Sequence, residues 1–289
     1  MSELIEDKYR KWEMLCEERF RRLKENEEKL NRFYIDLYDI SEEITPEVYD
    51  SDVTVRRADL KRDIKSLLSY AIGCIFGRYS LDREGLCYAG GKWDSSAYKT
   101  IIPCKDNIMP IDSPESGLTA AVVDFVEKVY GSDTLEENLR FIADALECSG
   151  DSRTAIHNYL KRSFFDDHTK VYKKRPIYWQ ITSGRKGAFK ALMYLHRFNG
   201  KTLSVLKDSY AVPRYNELKA QLTALSEKHR QADGAEKAAL RRSSSRMQTL
   251  IVEMEGFIAC LDQLIKENIT IDLDDGVKVN YEKLKDILE

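Results

Sequence analysis

Apolar residues return at helical intervals along most of this chain. From Ser2 to about Tyr38 they fall at Ile5, Tyr9, Trp12, Cys16, Phe20, Leu23, Leu30, Tyr34 and Leu37. Steps of mostly three, four or seven put these side chains on one face of a single long helix, with Glu, Lys and Arg on the others. A helix cannot bury such a stripe alone, so this one needs a partner. Pro46 interrupts the pattern after Ile44-Thr45, because proline turns the preceding residue away from helix. A second helix is predicted from about Val55 to Tyr79. Its start is basic (Arg57, Lys61, Arg62, Lys65) and its later turns are apolar nearly all round, which places them in the core.

Between Leu81 and Asp112 the glycines and short apolar pieces predict an irregular loop with two short strands. Ser113-Pro114-Glu115 has the form of a helix start, and helices are expected at about 114–130, 134–147 and 152–164. Thr134 and Glu137 have capping-box spacing. Pro176 to Ile181 reads as a strand, and Phe189 to Arg197 as a second strand or short helix. From Thr202 to Asn268 the pattern is helical, with Asp233-Gly234 turning between two antiparallel arms. Met247, Ile251, Met254, Ile258, Leu261 and Ile265 form a seam on the second arm. Ile269 to Val279 reads as a β-hairpin turning at Asp275-Gly276. The expected fold is mostly α with small β elements (α+β): long amphipathic helices, an antiparallel helical hairpin and short strands. Its expected parts are 1–50 (helix and linker), 51–200 (mixed core) and 201–289 (helical and β-hairpins).

Composition agrees. Across 289 residues, 43% are hydrophobic and 33% charged, with only 14 Gly and 6 Pro; such a chain favours long helices over disorder. The net charge of −3 gives no global attraction to nucleic acid, so any such contact must come from a local patch. Apolar runs are far too short to span a membrane, and the start of the chain is acidic where a secretion signal would be basic. A cytoplasmic location is expected. Six cysteines are scattered without a CxxC pair, which predicts reduced thiols and no zinc site.

Catalytic signatures are absent: no P-loop, GxGxxG, GxSxG or HExxH. The chain has no Pro-Pro dipeptide, hence no Asp/Asn-Pro-Pro-Tyr/Phe motif of amino-methyltransferases, and no Phe-x-Gly-x-Gly loop for S-adenosylmethionine. Asp272, Asp274 and Asp275 lack the oxygen ladder and terminal Glu of a calcium loop. The segment from Lys161 to Arg197 differs in kind. Its cations include Lys170, Lys173, Lys174, Arg175, Arg185, Lys186 and Lys190, against only Asp166 and Asp167. Phe164, Phe165, Tyr172, Tyr178, Trp179, Phe189 and Tyr194 are interleaved with them. Cations neutralise phosphates and aromatics stack on bases, which makes those seven cations candidate DNA contacts. The plainer reading is that the aromatics are core and the cations cap loop ends.

Tyr172-Lys173-Lys174-Arg175-Pro176-Ile177-Tyr178-Trp179, followed by Gly187-Ala188-Phe189-Lys190-Ala191-Leu192-Met193-Tyr194-Leu195-His196-Arg197-Phe198, resembles the C-terminal region of BREX-type adenine-specific DNA methyltransferases (PglX), a phage-defence family. Blocks at Asn26–Phe33 through Ile44–Val48, Ser69–Asp82 and Leu273–Tyr281 agree in the same order. The resemblance implies a non-catalytic part that recognises double-stranded DNA and scaffolds a methyltransferase domain or other BREX subunits. It assigns S-adenosylmethionine to a catalytic half that this chain lacks, so no cofactor is expected here. The alternative function is a protein-interaction module that docks on other defence-complex subunits without touching DNA.

Overall fold

The computed structural model describes residues 3–289. Met1 and Ser2, part of the acidic start and of the expected first helix, lie outside them. Helix α1 (Ile5–Tyr38) begins without a side-chain cap of its own. The buried Asn138 serves instead: its Oδ1 accepts from the Ile5 N–H at 2.8 Å and its Nδ2 donates to the Glu3 carbonyl. The stripe is buried only in part. Ile5, Cys16 and Phe20 are covered, whereas Trp12, Leu30, Tyr34 and Leu37 are exposed.

Helix α2 (Leu60–Ile75) is shorter than expected because Asp59 caps it, accepting from the Arg62 N–H at 2.7 Å. Its later turns, from Ala71 to Ile75, are fully buried. The loop that follows contains one strand, β1 (Ile108–Pro110), not two. The segment from Tyr98 to Pro103 is held instead by the Asp82 carboxylate, which accepts from the N–H groups of Lys99 and Thr100 and from the Thr100 hydroxyl. Those hydrogen bonds hold the Asp82 carboxyl down at about 2.

Helix α3 (Gly117–Tyr130) starts after Ser116, not at Ser113-Pro114. The close packing of β1 against its start explains the shift. Gly117 has φ +59°, and a Cβ there would lie 2.1 Å from the Pro110 carbonyl oxygen, so the first residue must be glycine. Helix α4 (Leu135–Leu146) follows. Thr134 does not form the expected capping box; its hydroxyl donates to the Tyr130 carbonyl at 3.0 Å and to neighbouring carbonyls, including that of Glu3. Helix α5 (Ser152–Arg162) is capped by Asp151, and a further helix, α6 (Phe164–Val171), extends beyond the expected end.

Strands β2 (Tyr178–Thr182) and β3 (Lys190–Tyr194) pair antiparallel, with order β1-β3-β2. Leu288 and Glu289 cover part of the outer edge of β2 through the Ile181–Leu288 bridge and the Glu289 N–H to Gln180 carbonyl bond. Side chains alternate across the sheet. Tyr178, Leu192 and Tyr194 join a core made with α2 to α6. Trp179, Ile181, Ala191 and Met193 join a second core on the other face.

That second core is built by a short turn of helix, α7 (Thr202–Val205), a π-helical stretch at Leu206–Ala211, α8 (Val212–Gln231) and α9 (Gly234–Lys266). Pro213 has no N–H to complete the helical ladder, and the helix widens just before it. The turn at Asp233-Gly234 stands as expected. The seam of α9 is wider than read: Phe257 and Leu264 are buried, while Ile258 and Ile265 are only half-buried, because the helix packs on the sheet as well as on α8. The expected C-terminal β-hairpin is instead a 3-10 turn at Leu273–Asp275 and a helix, α10 (Gly276–Leu284). Asp272 accepts from the Asp274 N–H at 2.9 Å, and the Asn280 side chain ties back to the carbonyls of Asp272 and Gly276. These local bonds make Asp-Gly a helix entry, and Leu284 reaches the core.

Candidate nucleic-acid interface

Helix α6 ends in two consecutive left-handed residues, Lys173 (φ 50°) and Lys174 (φ 63°). The Lys173 N–H donates to the Lys170 carbonyl, and the Lys174 N–H to that of Thr169 at 2.8 Å. Residues so placed satisfy the last helical carbonyls, and their charge suits the negative end of the helix dipole. This closure throws Lys173, Lys174 and Arg175 onto the surface, all exposed. They line a cleft of about 880 Å³ whose opposite wall is the first turn of α10, Gly276 to Lys278.

No side chain caps α10, and its first turn lines the same cleft as these cations. Among the described residues Lys173, Lys174, Arg175 and Lys278 have no ion-pair partner. The acids in the cleft are already engaged: Asp275 pairs with Lys283 at 3.1 Å and Glu289 with Lys190 at 2.5 Å. The cleft is therefore electropositive, although the chain is not. Lys278 and the helix start were missed in the sequence because the segment reads as a hairpin.

The other candidate cations are dispersed. Lys190 is largely buried in its pair with Glu289, which also accepts from Gln180. Lys170 is exposed but lines a different cleft, between α2 and α6. Arg185 and Lys186 sit in the β2–β3 turn. Glu253 of α9 clamps that turn, accepting from the Lys186 N–H at 2.7 Å, the Ala188 N–H at 3.0 Å and the Ser183 hydroxyl at 2.8 Å. Burial opposes ionisation of Glu253, but the backbone and hydroxyl donors outweigh it and hold the carboxyl low. Gly184 lets the turn come this close; a Cβ there would meet the Glu253 carboxylate at 2.8 Å.

The aromatics of the segment are mostly interior. Tyr178, Trp179, Phe164, Phe189 and Tyr194 are buried, leaving Phe165 and Tyr172 half-exposed. Arg197 is structural, donating to the carbonyls of Phe76, Cys104 and Lys105. Arg78 likewise holds the Tyr194 hydroxyl, at 3.1 Å. Among the described residues no group of three or more His, Cys, Asp or Glu is placed to hold a metal ion, no disulfide forms, and no helix is long and apolar enough to cross a membrane.

No protein-family model matches the chain. It is similar to the adenine-specific methyltransferase PglX of Lacticaseibacillus casei (strain Zhang), 42% identical over 289 residues, which is 96% of this chain and 24% of that protein. It is also similar to the adenine-specific methyltransferase BrxX of Escherichia coli O9:H4 (strain HS), 40% identical over 260 residues, 84% of this chain and 21% of that protein. The chain spans about a quarter or less of the length of these relatives.

Proposed function

Because the chain is related over nearly its whole length to part of the PglX and BrxX adenine-specific methyltransferases, we propose that it is the DNA-recognising, scaffolding part of such an enzyme. It works beside a methyltransferase domain that takes up S-adenosylmethionine, in a cytoplasmic BREX phage-defence assembly. The observation that carries this reading is the cleft in which Lys173, Lys174, Arg175 and Lys278 meet the uncapped start of α10. Cations and an uncapped helix start lining one cleft suit the phosphates of a duplex. Arg185 and Lys186 lie at the far end of β2. The five residues of β2 separate them from the cleft by roughly 17 Å along the strand.

The test is duplex binding by fluorescence anisotropy as salt is varied. Each lost phosphate contact lowers the log–log salt slope by about 0.9, so Lys173→Glu/Lys174→Glu/Arg175→Glu should flatten it by about 3 and weaken binding at low salt. Unchanged affinity and slope would remove the assignment.

One feature favours a second reading, a protein-docking module. The distal half of α1 exposes Leu30, Phe33, Tyr34, Leu37 and Tyr38, with the rings of Tyr34 and Tyr38 stacked at 6.3 Å. An apolar stripe of this kind is the ordinary mark of a protein contact. Salt-insensitive binding to a BREX subunit, lost in Phe33→Ser/Leu37→Ser, would establish it.

A further inference from the structure

The distal part of the α8–α9 hairpin belongs to neither core. Between Leu222 and Met247 no residue joins or packs against the two apolar clusters, and only Ala232, at the bend, is buried. The rise from Leu222 to Gln231 carries the bend roughly 14 Å beyond the last core contact. The two helices therefore end in an arm that stands clear of the sheet and its cores.

The charge of this arm is one-sided. Lys228, Arg230, Lys237, Arg241, Arg242 and Arg246 are all exposed, against three acids, Glu227, Asp233 and Glu236, in the same stretch. None of the six cations has an ion-pair partner among the described residues. The tip is thus cationic on a chain whose net charge is −3. Its cations are also grouped. Lys237, Arg241 and Arg242 of α9 and His229 of α8 line a hollow of about 730 Å³, completed by Gly234 and Ala238. No carboxylate lines it. Lys237 and Arg241, four residues apart, are neighbours on one helix face. The small residues at 234 and 238 leave room for a ligand to come close to the backbone.

The chemistry of the surface selects the ligand. A row of phosphates is held by charge and hydrogen-bond donors and needs no apolar anchor. A membrane surface and a protein interface both need such anchors. Between Leu222 and Met247 there is no Phe, Tyr or Trp, and beyond alanine the apolar residues are Leu225 and Leu240, both half-buried. We propose that the tip of the α8–α9 hairpin is a second DNA contact, in which Lys237, Arg241 and Arg242 hold the phosphate backbone of a duplex without reading its sequence. The contact rests on the DNA-recognition reading, but it shares no residue with the cleft at Lys173, Lys174 and Arg175, so the two can be tested apart.

Duplex binding by the full chain, followed by fluorescence anisotropy between 50 and 200 mM salt, is the test. Lys237→Gln/Arg241→Gln/Arg242→Gln alters only exposed side chains and keeps good helix formers, so the circular dichroism spectrum should not change. With three phosphate contacts removed, the log–log salt slope should flatten by about 3, and the fall in affinity over that salt range should shrink roughly 40-fold. The effect should be the same on duplexes of unrelated sequence. An iron chelate tethered to Ala238→Cys should cut the duplex backbone. A native salt slope in the tip variant, with a flattened one in Lys173→Glu/Lys174→Glu/Arg175→Glu, overturns the tip contact and leaves the cleft standing. The converse result upholds the tip and removes the cleft. No duplex binding by the native chain overturns both, and binding to phosphatidylglycerol vesicles that the tip variant loses would then assign the arm to a membrane surface.

Discussion

The two faces of the β1-β3-β2 sheet are buried by different chemistry. The face toward α8, α9 and α10 is almost wholly apolar: Trp179 packs with Ile181, Met193, Met254, Phe257 and Leu261, and its indole N–H finds the Pro176 carbonyl at 3.1 Å. The face toward α2 to α6 contains polar groups that need specific partners. Arg78 holds Tyr194, Asn107 pairs with the Tyr194 backbone, and His168 accepts from the start of β2. An apolar face depends on volume and shape, whereas a polar inlay also depends on protonation state. Both clefts border α6, which packs on the polar face.

The largest expected effect is on the apolar face. Trp179→Ala removes a side chain only 1% exposed and should lower unfolding free energy by about 3–5 kcal/mol in chemical denaturation. The comparison predicts that this loss is nearly the same at pH 7 and pH 5. A loss that changes strongly with pH would break the contrast.

The next effect belongs to the polar face. Burial, aided by the nearby Arg78 charge, pushes the His168 imidazole down to about 4 from an ordinary 6.5. Burial lowers His157 and His196 in the same direction. Below pH 6.5 the unfolded chain takes up a proton that the folded His168 refuses. Stability therefore falls as pH drops from about 6.5 to about 4 and levels off once the folded ring also charges. For His168 alone the loss is about 3 kcal/mol over that window. Denaturation curves across the range, with the His168 resonance followed by NMR, check it; a flat profile would refute the polar inlay as a pH-sensitive element.

A smaller loss is expected from Glu253→Gln. The turn loses charge-assisted acceptance from Lys186, Ala188 and Ser183, which should cost about 1–3 kcal/mol and speed amide exchange at Lys186 and Ala188. Hydrogen exchange unchanged at those two positions would show that the clamp does not set the turn. The smallest effect marks the limit of both cores. Phe33→Ser, on the exposed end of α1, should change stability by no more than about 0.5 kcal/mol, and a loss above about 2 kcal/mol would mean the distal helix is packed.

Much of this was legible along the chain. The long first helix, the apolar later turns of α2, the strand beginning near Pro176 and the turn at Asp233-Gly234 all rest on periodicity or on residues with strong backbone preferences. The errors share a cause. Ser113-Pro114 and Thr134 look like caps, but the approach of Pro110 to Gly117 and the seating of Glu3 near Tyr130 and Thr134 redirect both. Asp275-Gly276 suits a hairpin turn as well as a helix entry, and only the hydrogen bonds of Asp272 and Asn280 select the helix.

The candidate DNA contacts divide the same way. Lys173, Lys174 and Arg175 adjoin in sequence and so stay together in the fold. Lys190 turns inward to Glu289, Lys170 faces the other cleft, and Lys278, a hundred residues away, joins the cleft lined by Lys173. The sequence by itself determined which segments are helical, which half of α2 is buried, and that one local stretch concentrates positive charge. These depend on spacing and composition within a few turns of chain. Only the tertiary structure decided which cations are free and which buried groups lack a partner. Ion pairing and burial depend on residues distant in sequence, and no local pattern encodes them.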